Sequence, residues 1–442
     1  MMKRRDFLRL AATGSGMLLC GGVRLAQAQQ AYNGPFWLLV EADGGWDPTS
    51  FCDPKGFGLG ANGDINNYDQ NDIRQVGNIR YAPPPDMFAN DTNLYSNRDF
   101  FEAHYQKLVV INGINQGTNS HSVGASAIWT GSKVLDYPSI AALVAAENAG
   151  DLALPYVATR SAAISKTNDL VPQAVVTLSD IRALGEIAYP NRVNTSQASQ
   201  YHTDVAQSLI GAAAAARRQR QLEAQRLLRL EKALAAHDAA RNRDVSAMRD
   251  FVTALDSTSA PNSYVNSHSA AARLFQKAQI AFAAFESGTA AVAQVTMPEF
   301  DTHQNHDQRH YPRLMDHLAA IDNIITDANS RGIGNRLIIV MGSEMGRTNK
   351  YNSDNGKDHW PHTSMMVWGD SRFFAGNRVV GATDNLHRSV RVNRSTLQPD
   401  NNGVELTPEY IHQALRSLAG IDQNPSVTSN FPFGQEVLPI FA

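Results

Sequence analysis

Residues 35–47, "PFWLLVEADGGWD", run apolar from Phe36 to Val40 and then turn polar through a glycine pair between Asp43 and Asp47. A short, uninterrupted apolar run bounded by turn residues reads as a strand buried on both faces. The pattern returns at 107–114 ("KLVVINGI"), 293–298 ("AQVTMP"), 336–343 ("RLIIVMGS") and 363–369 ("TSMMVWG"). Between these runs lie helical patterns at 139–150, 269–288 and 313–332, the last two closed by glycine where a helix C-terminus expects it. Such alternation predicts an α/β fold with a mostly parallel central sheet and helices on both faces. Functional groups should then gather beyond the carboxyl ends of the strands.

The first residues carry an address. Arg4 and Arg5 precede a short apolar region and a small-x-small site, Ala26-Gln27-Ala28. That order reads as a twin-arginine export signal over residues 1–28, too short and weakly apolar to span a membrane, and it predicts a periplasmic or secreted protein that meets the twin-arginine export machinery. The chain holds 39 basic and 42 acidic residues; without residues 1–28, which carry five basic residues and one acidic, 34 and 41 remain, a net charge of −7. That balance argues against nucleic acid or an anionic membrane as partner. Cys52 is the only cysteine beyond residue 28, so no internal disulfide can form. A packed core must hold residues 29–442, read as a single domain.

Two stretches stand apart. Residues 53–100 are rich in Gly, Asn, Asp and Pro and read as a loop-rich excursion over the surface. Residues from about 203 to 256 read as a helical insertion, an α-hairpin with Leu227, Leu230 and Leu234 on one face.

The chemical signal lies at the strand ends. Six of the thirteen histidines fall between His303 and His362. Asp301 and His303 follow one apolar run, Glu344 follows another, and Asp47 follows the first through Gly44-Gly45. Carboxylates converging on one sheet edge repel unless a cation or protons intervene, and imidazoles beside them make a mixed N/O donor set suited to zinc or manganese. Asp358, His359 and His362 belong to the same pattern, whereas His306, His310 and His317 fall at helical spacings and read as a helix face.

The segment 119–131, "NSHSVGASAIWTG", hands an apolar run to a small-residue helix ended by Gly131. Ser there can simply cap the helix. A hydroxyl or imidazole at that helix start also lies in a positive field that favours an anionic group.

In this order, "GGWD", "SHSVGASAIWTG", "FDTH", "SEMGRT" and "DHWPH" resemble the motifs of the family called domain of unknown function 1501, exported proteins similar to the alkaline phosphatase and sulfatase superfamily. The likeness spans most of residues 36–385 and implies an alkaline-phosphatase-like fold with a divalent metal. By position it implies Asp47 as the first-strand carboxylate ligand, Glu344 in place of an aspartate after a later strand, Asp301 and His303 as a third group, and His359 or His362 as the late histidine. Ser122 or His121 takes the nucleophile position: spacing to Trp129 favours Ser122, spacing to Gly131 favours His121. The planar fork of Arg347 suits a tetrahedral oxyanion. Two departures stand out. Met345 follows Glu344 where the enzymes carry a histidine, and a thioether is a poor ligand for a hard ion; Asn305 stands four residues after Asp301 where they carry another histidine.

The leading expectation is an exported metal-dependent hydrolase of a phosphate, sulfate or related ester, with a small-molecule or polymer substrate. The rival is a catalytically silent relative that binds a ligand or envelope partner through the same cleft. A third is a structural envelope component acting through the 203–256 helix.

Overall fold

A computed structural model of the chain describes residues 32–58, 64–135, 137–149, 152, 154–158, 173–175, 189, 191–193, 199–227, 245–255 and 258–442. The export signal read at 1–28 lies outside the described residues. The strands are β1 (Phe36–Ala42), β2 (Arg74–Val76), β3 (Ile79–Tyr81), β4 (Leu108–Asn115), β5 (Tyr156–Ala158), β6 (Gln173–Val175), β7 (Val292–Met297), β8 (Leu337–Gly342), β9 (Gly346–Arg347), β10 (His359–Trp360), β11 (His362–Gly369) and β12 (Arg378–Val380). Eight of them form one sheet in the order β12-β4-β11-β8-β1-β7-β5-β6. All of its pairings are parallel except those of β11, which runs antiparallel to β4 and to β8.

Every residue of β1 is buried, as its unbroken apolar run requires. Its side chains alternate between two packed layers. Phe36 stacks on Phe285 of the helix Ser269–Glu286, with ring centroids 4.7 Å apart. Glu41, on the other face, accepts a hydrogen bond of 3.0 Å from Trp129 Nε1 of the helix His121–Thr130. Helices therefore cover both faces, as the alternation of patterns predicts. The helix at 313–332 begins earlier than its apolar periodicity suggests, at His306, and runs to Ser330, so His306, His310 and His317 do share it.

Two expectations need correction. The 53–100 stretch is not merely superficial: Ile65, Tyr68, Ile79, Tyr81 and Phe100 are buried, and the Tyr68 hydroxyl donates to Thr49 O at 2.7 Å. Its turn-rich composition hides scattered aromatic anchors that no local period reveals. In the 203–256 stretch, a helix spans Asp204–Ala224 and its backbone leaves helical geometry at Gln225 (ψ 141°). Leu227 therefore lies beyond its end and is 62% exposed, while Leu230 and Leu234 lie outside the described residues. The helix Val245–Leu255 sends Phe251 into the core.

Candidate metal centre

Four segments leave one end of the sheet and meet there: 43–47 after β1, 116–121 after β4, 298–305 after β7 and 343–347 after β8. Gly44 makes the first meeting possible, because its φ is 121° and a Cβ there would stand 2.5 Å from the Asp301 backbone nitrogen. The Gly44 N–H donates to Glu344 Oε1 at 2.7 Å. A Cβ on Gly124 would lie 2.3 Å from the Glu344 carbonyl oxygen, so the helix His121–Thr130 seats directly on the β8 exit. β9 and β10 then pair antiparallel, with His359 opposite Arg347, which brings the late histidine back over the sheet.

At this junction Asp301 is surrounded by imidazoles. His303 Nε2 lies 3.0 Å and His359 Nε2 3.2 Å from Asp301 Oδ1, and the two Nε2 atoms are 3.0 Å apart. His121 Nε2 lies 3.5 Å from Asp301 Oδ2. His121, Asp301 and His359 each place a donor atom within 4.8 Å of the others.

The outer ring nitrogens decide what the inner ones can do. His359 Nδ1 lies 2.8 Å from the Asn119 carbonyl oxygen, His303 Nδ1 2.8 Å from Asp358 Oδ1, and His121 Nδ1 2.8 Å from Glu344 Oε1. A carbonyl or an ionised carboxylate only accepts, so each Nδ1 carries the proton and donates it. In the neutral rings every Nε2 is then a bare lone pair, and all of them face the Asp301 carboxylate. Arg347 already donates to Asp301 Oδ1 at 2.7 Å, which leaves the Nε2 lone pairs free to take a cation, and imidazoles whose far N–H is held by a carboxylate or carbonyl are the arrangement metal-binding histidines adopt. The donor chemistry therefore fits a divalent ion of the zinc or manganese kind.

Electrostatics agree. Burial resists ionisation of Asp301, but the hydrogen bond and charge of Arg347, whose NH2 lies 2.7 Å away, hold its carboxyl below the usual range. The hydrogen bond from His303 likewise lowers Asp358. The hydrogen bond to Glu344 raises His121 against the opposing effect of burial.

The remaining candidates sit elsewhere. Glu344 stands behind His121: Oε1 accepts from His121 and Gly44, and Oε2 accepts from the Ser343 hydroxyl at 3.1 Å. Asp47 belongs to a separate buried centre, where Oδ2 accepts from Lys357 Nζ at 2.6 Å and His306 Nε2 at 3.1 Å while Oδ1 accepts from Thr49 N and Thr49 Oγ1. Burial opposes the Asp47 charge, but Lys357 and His306 outweigh it and hold the carboxyl well below its usual value. His362 turns from the cluster to Ser389, whose hydroxyl is 2.7 Å from Nδ1. The exposed Ser122 hydroxyl meets Ser120 Oγ at 3.3 Å, and Ser120, at the helix N-cap position, makes no side-chain cap. Arg347 is fully buried and committed to the carbonyls of Gly44, Gly45 and Lys357 as well as to Asp301, so it braces the junction rather than presenting a free fork.

Sequence reasoning missed Lys357, although it adjoins Asp358 in the motif that drew attention. It also missed the Asn119 carbonyl, a backbone group that no residue type can announce.

This chain belongs to the DUF1501 family of proteins of unknown function, whose family model matches residues 90–424. Solved structures to which it is similar include the alkaline phosphatase from the Antarctic bacterium TAB5, at 11% identity over 88% of this chain and 100% of that one, with a TM-score of 0.34. The sulfatase PsFucS1 from Pseudoalteromonas sp. is similar at 9% identity over 96% of this chain and 74% of that one, with a TM-score of 0.34. Ps i-CgsB in complex with k-i-k-neocarrahexaose is similar at 7% identity over 89% of this chain and 74% of that one, with a TM-score of 0.38. No curated protein matches the sequence.

Proposed function

We propose that this protein is an exported, metal-dependent hydrolase of a phosphate, sulfate or related ester. The observation that carries the reading is the convergence of His303 Nε2, His359 Nε2 and Asp301 Oδ1 within 3.2 Å of one another, with each imidazole's other N–H already given to an acceptor. These three residues would hold a divalent ion with positions left open, the ligand count of catalytic rather than closed structural sites. Such an ion, when bound, supplies Lewis acidity to an ester oxygen.

The chain's own groups supply the rest. His121 Nε2 faces the same opening, and Glu344 keeps its Nδ1 protonated and its basicity raised, so it is suited to accept a proton from an attacking hydroxyl. His121 is also the first residue of its helix, where unpaired backbone N–H groups favour developing negative charge. Export rests on residues 1–28. Replacing Arg4 and Arg5 with Lys should retain the precursor in the cytoplasm, and normal export of that variant would remove this part of the reading.

A second reading, ligand binding without turnover, is favoured by the placement of Ser122 and Arg347: the serine hydroxyl turns to Ser120 and the guanidinium is committed to the backbone. One experiment separates the two. Asp301→Asn and His359→Ala should each lower bound metal while leaving the melting temperature of chelator-treated protein unchanged. Both should also abolish cleavage of chromogenic phosphate and sulfate esters by the loaded protein. Unchanged metal stoichiometry in both variants would overturn the site, whereas metal binding without any turnover would establish the silent reading.

A further inference from the structure

A cleft of about 410 Å³ that shares no residue with the histidine cluster opens beside β12, between the 52–55 turn, the β2–β3 hairpin and the 381–385 loop. At this size it can enclose a small polar molecule. Its inner wall carries a buried ion pair, Lys55 Nζ to Asp53 Oδ1 at 2.9 Å, and the Thr383 hydroxyl donates to the other oxygen of Asp53. This wall is electrically balanced and its hydrogen bonds are made. Asn112 is satisfied too, with Nδ2 donating to Cys52 O and Oδ1 accepting from Ser364.

The outer lining differs. Arg80 is exposed, and its guanidinium has no hydrogen-bond or ion-pair partner among the described residues. The exposed Asn385 amide is likewise without a protein partner there. With Asp53 and Lys55 cancelling, the lining carries one net positive charge. Its apolar members are small, Cys52, Pro54, Val379 and Ala382, so the cleft offers no aromatic surface to a flat apolar ligand.

We propose that this cleft is a second binding site, for a sugar-sized hydroxylated molecule bearing one oxyanion. Arg80 receives the oxyanion through its planar fork. The Asn385 amide receives a hydroxyl. The oxyanion can be carboxylate or phosphate, since both present the same acceptor pair.

Ligand-detected NMR titration of the full chain with glucuronate, glucose 6-phosphate, glucose and inorganic phosphate tests this. At least one acidic sugar should bind in the millimolar range or tighter, with glucose and free phosphate each at least about tenfold weaker, the loss expected for one charge-assisted contact. Arg80→Ala, which removes an exposed and unpaired side chain, should weaken the acidic sugar about tenfold or more, while His359→Ala should leave its affinity unchanged. Glucose binding as tightly as the acid, free phosphate binding as tightly as the phosphorylated sugar, or the absence of saturable binding would overturn the proposal. Affinity lost in His359→Ala and kept in Arg80→Ala would place the ligand at the histidine cluster and overturn it equally.

Discussion

Glu344 Oε1 receives two N–H groups, one from the Gly44 backbone at 2.7 Å and one from the His121 ring at 2.8 Å. A buried carboxylate so engaged is held in place, and it holds the imidazole in one tautomer. Glu344→Gln keeps the shape and removes the charge. In chelator-treated protein, His121 followed by NMR should then titrate at lower pH than in the wild type, because the hydrogen bond that raises it is weakened. Turnover should fall about 10- to 100-fold, the usual cost of losing an orienting partner, with bound metal unchanged. A His121 titration that does not move would deny Glu344 this role. Residue by residue, the centre was legible where chemistry and strand ends coincide, as at Asp301, His303 and His359. Asp47 and His362 carried the same signal and do not join. Each is engaged by a partner remote in sequence, Lys357 for Asp47 and Ser389 for His362, and no spacing rule shows such a pairing.

At the scale of elements, the junction depends on two strand exits touching at Gly44. Gly44→Ala puts a Cβ 2.5 Å from the Asp301 nitrogen at a φ of 121°, so the 298–305 segment must shift. We expect a loss of roughly 1–3 kcal/mol of stability, with weaker metal binding measured by chelator competition; a variant that melts and binds as the wild type does would show that the exits are not in contact. The long strands were readable because continuous apolar runs leave little else for them to be. β5, β6 and β12 were not, since each has three residues and none forms a run. The direction of β11 was hidden for a different reason. A strand buried on both faces has the same composition whichever way it runs, and only its neighbours in the sheet reveal that it is reversed.

Across the whole molecule, the core stores imidazoles that the histidine cluster does not use. His317, fully buried between the rings of Trp46 and Phe300, has no hydrogen-bond partner for either nitrogen among the described residues, and burial pulls its pKa down from 6.5 to about 3. Burial likewise takes His387 down to about 4 and His412 to about 3. The unfolded chain binds protons at these sites from about pH 6.5 downward, while the folded chain does not until about pH 3 or 4. Stability therefore falls progressively as pH drops through that window. His317→Phe, which keeps an aromatic ring in the pocket, should flatten the loss of melting temperature between pH 6.5 and 4, and an unchanged slope would show that His317 takes no part in it. The reversal of β11 has its own consequence at this scale. Because β8 ends and β11 begins at the same end of the sheet as neighbouring strands, residues 343–364 depart from Gly342 and return to its partner Met365, two anchor points about one strand spacing apart. That single excursion carries Glu344, Arg347, Lys357, Asp358 and His359, while Asp301 and His303 come from 298–305 and His121 from the helix after β4. A loop transplanted from a relative would have to match those two anchors and also the contacts made with the Gly44 turn, Gly124, Asp47, Asn119 and Asp301 to change what the protein does.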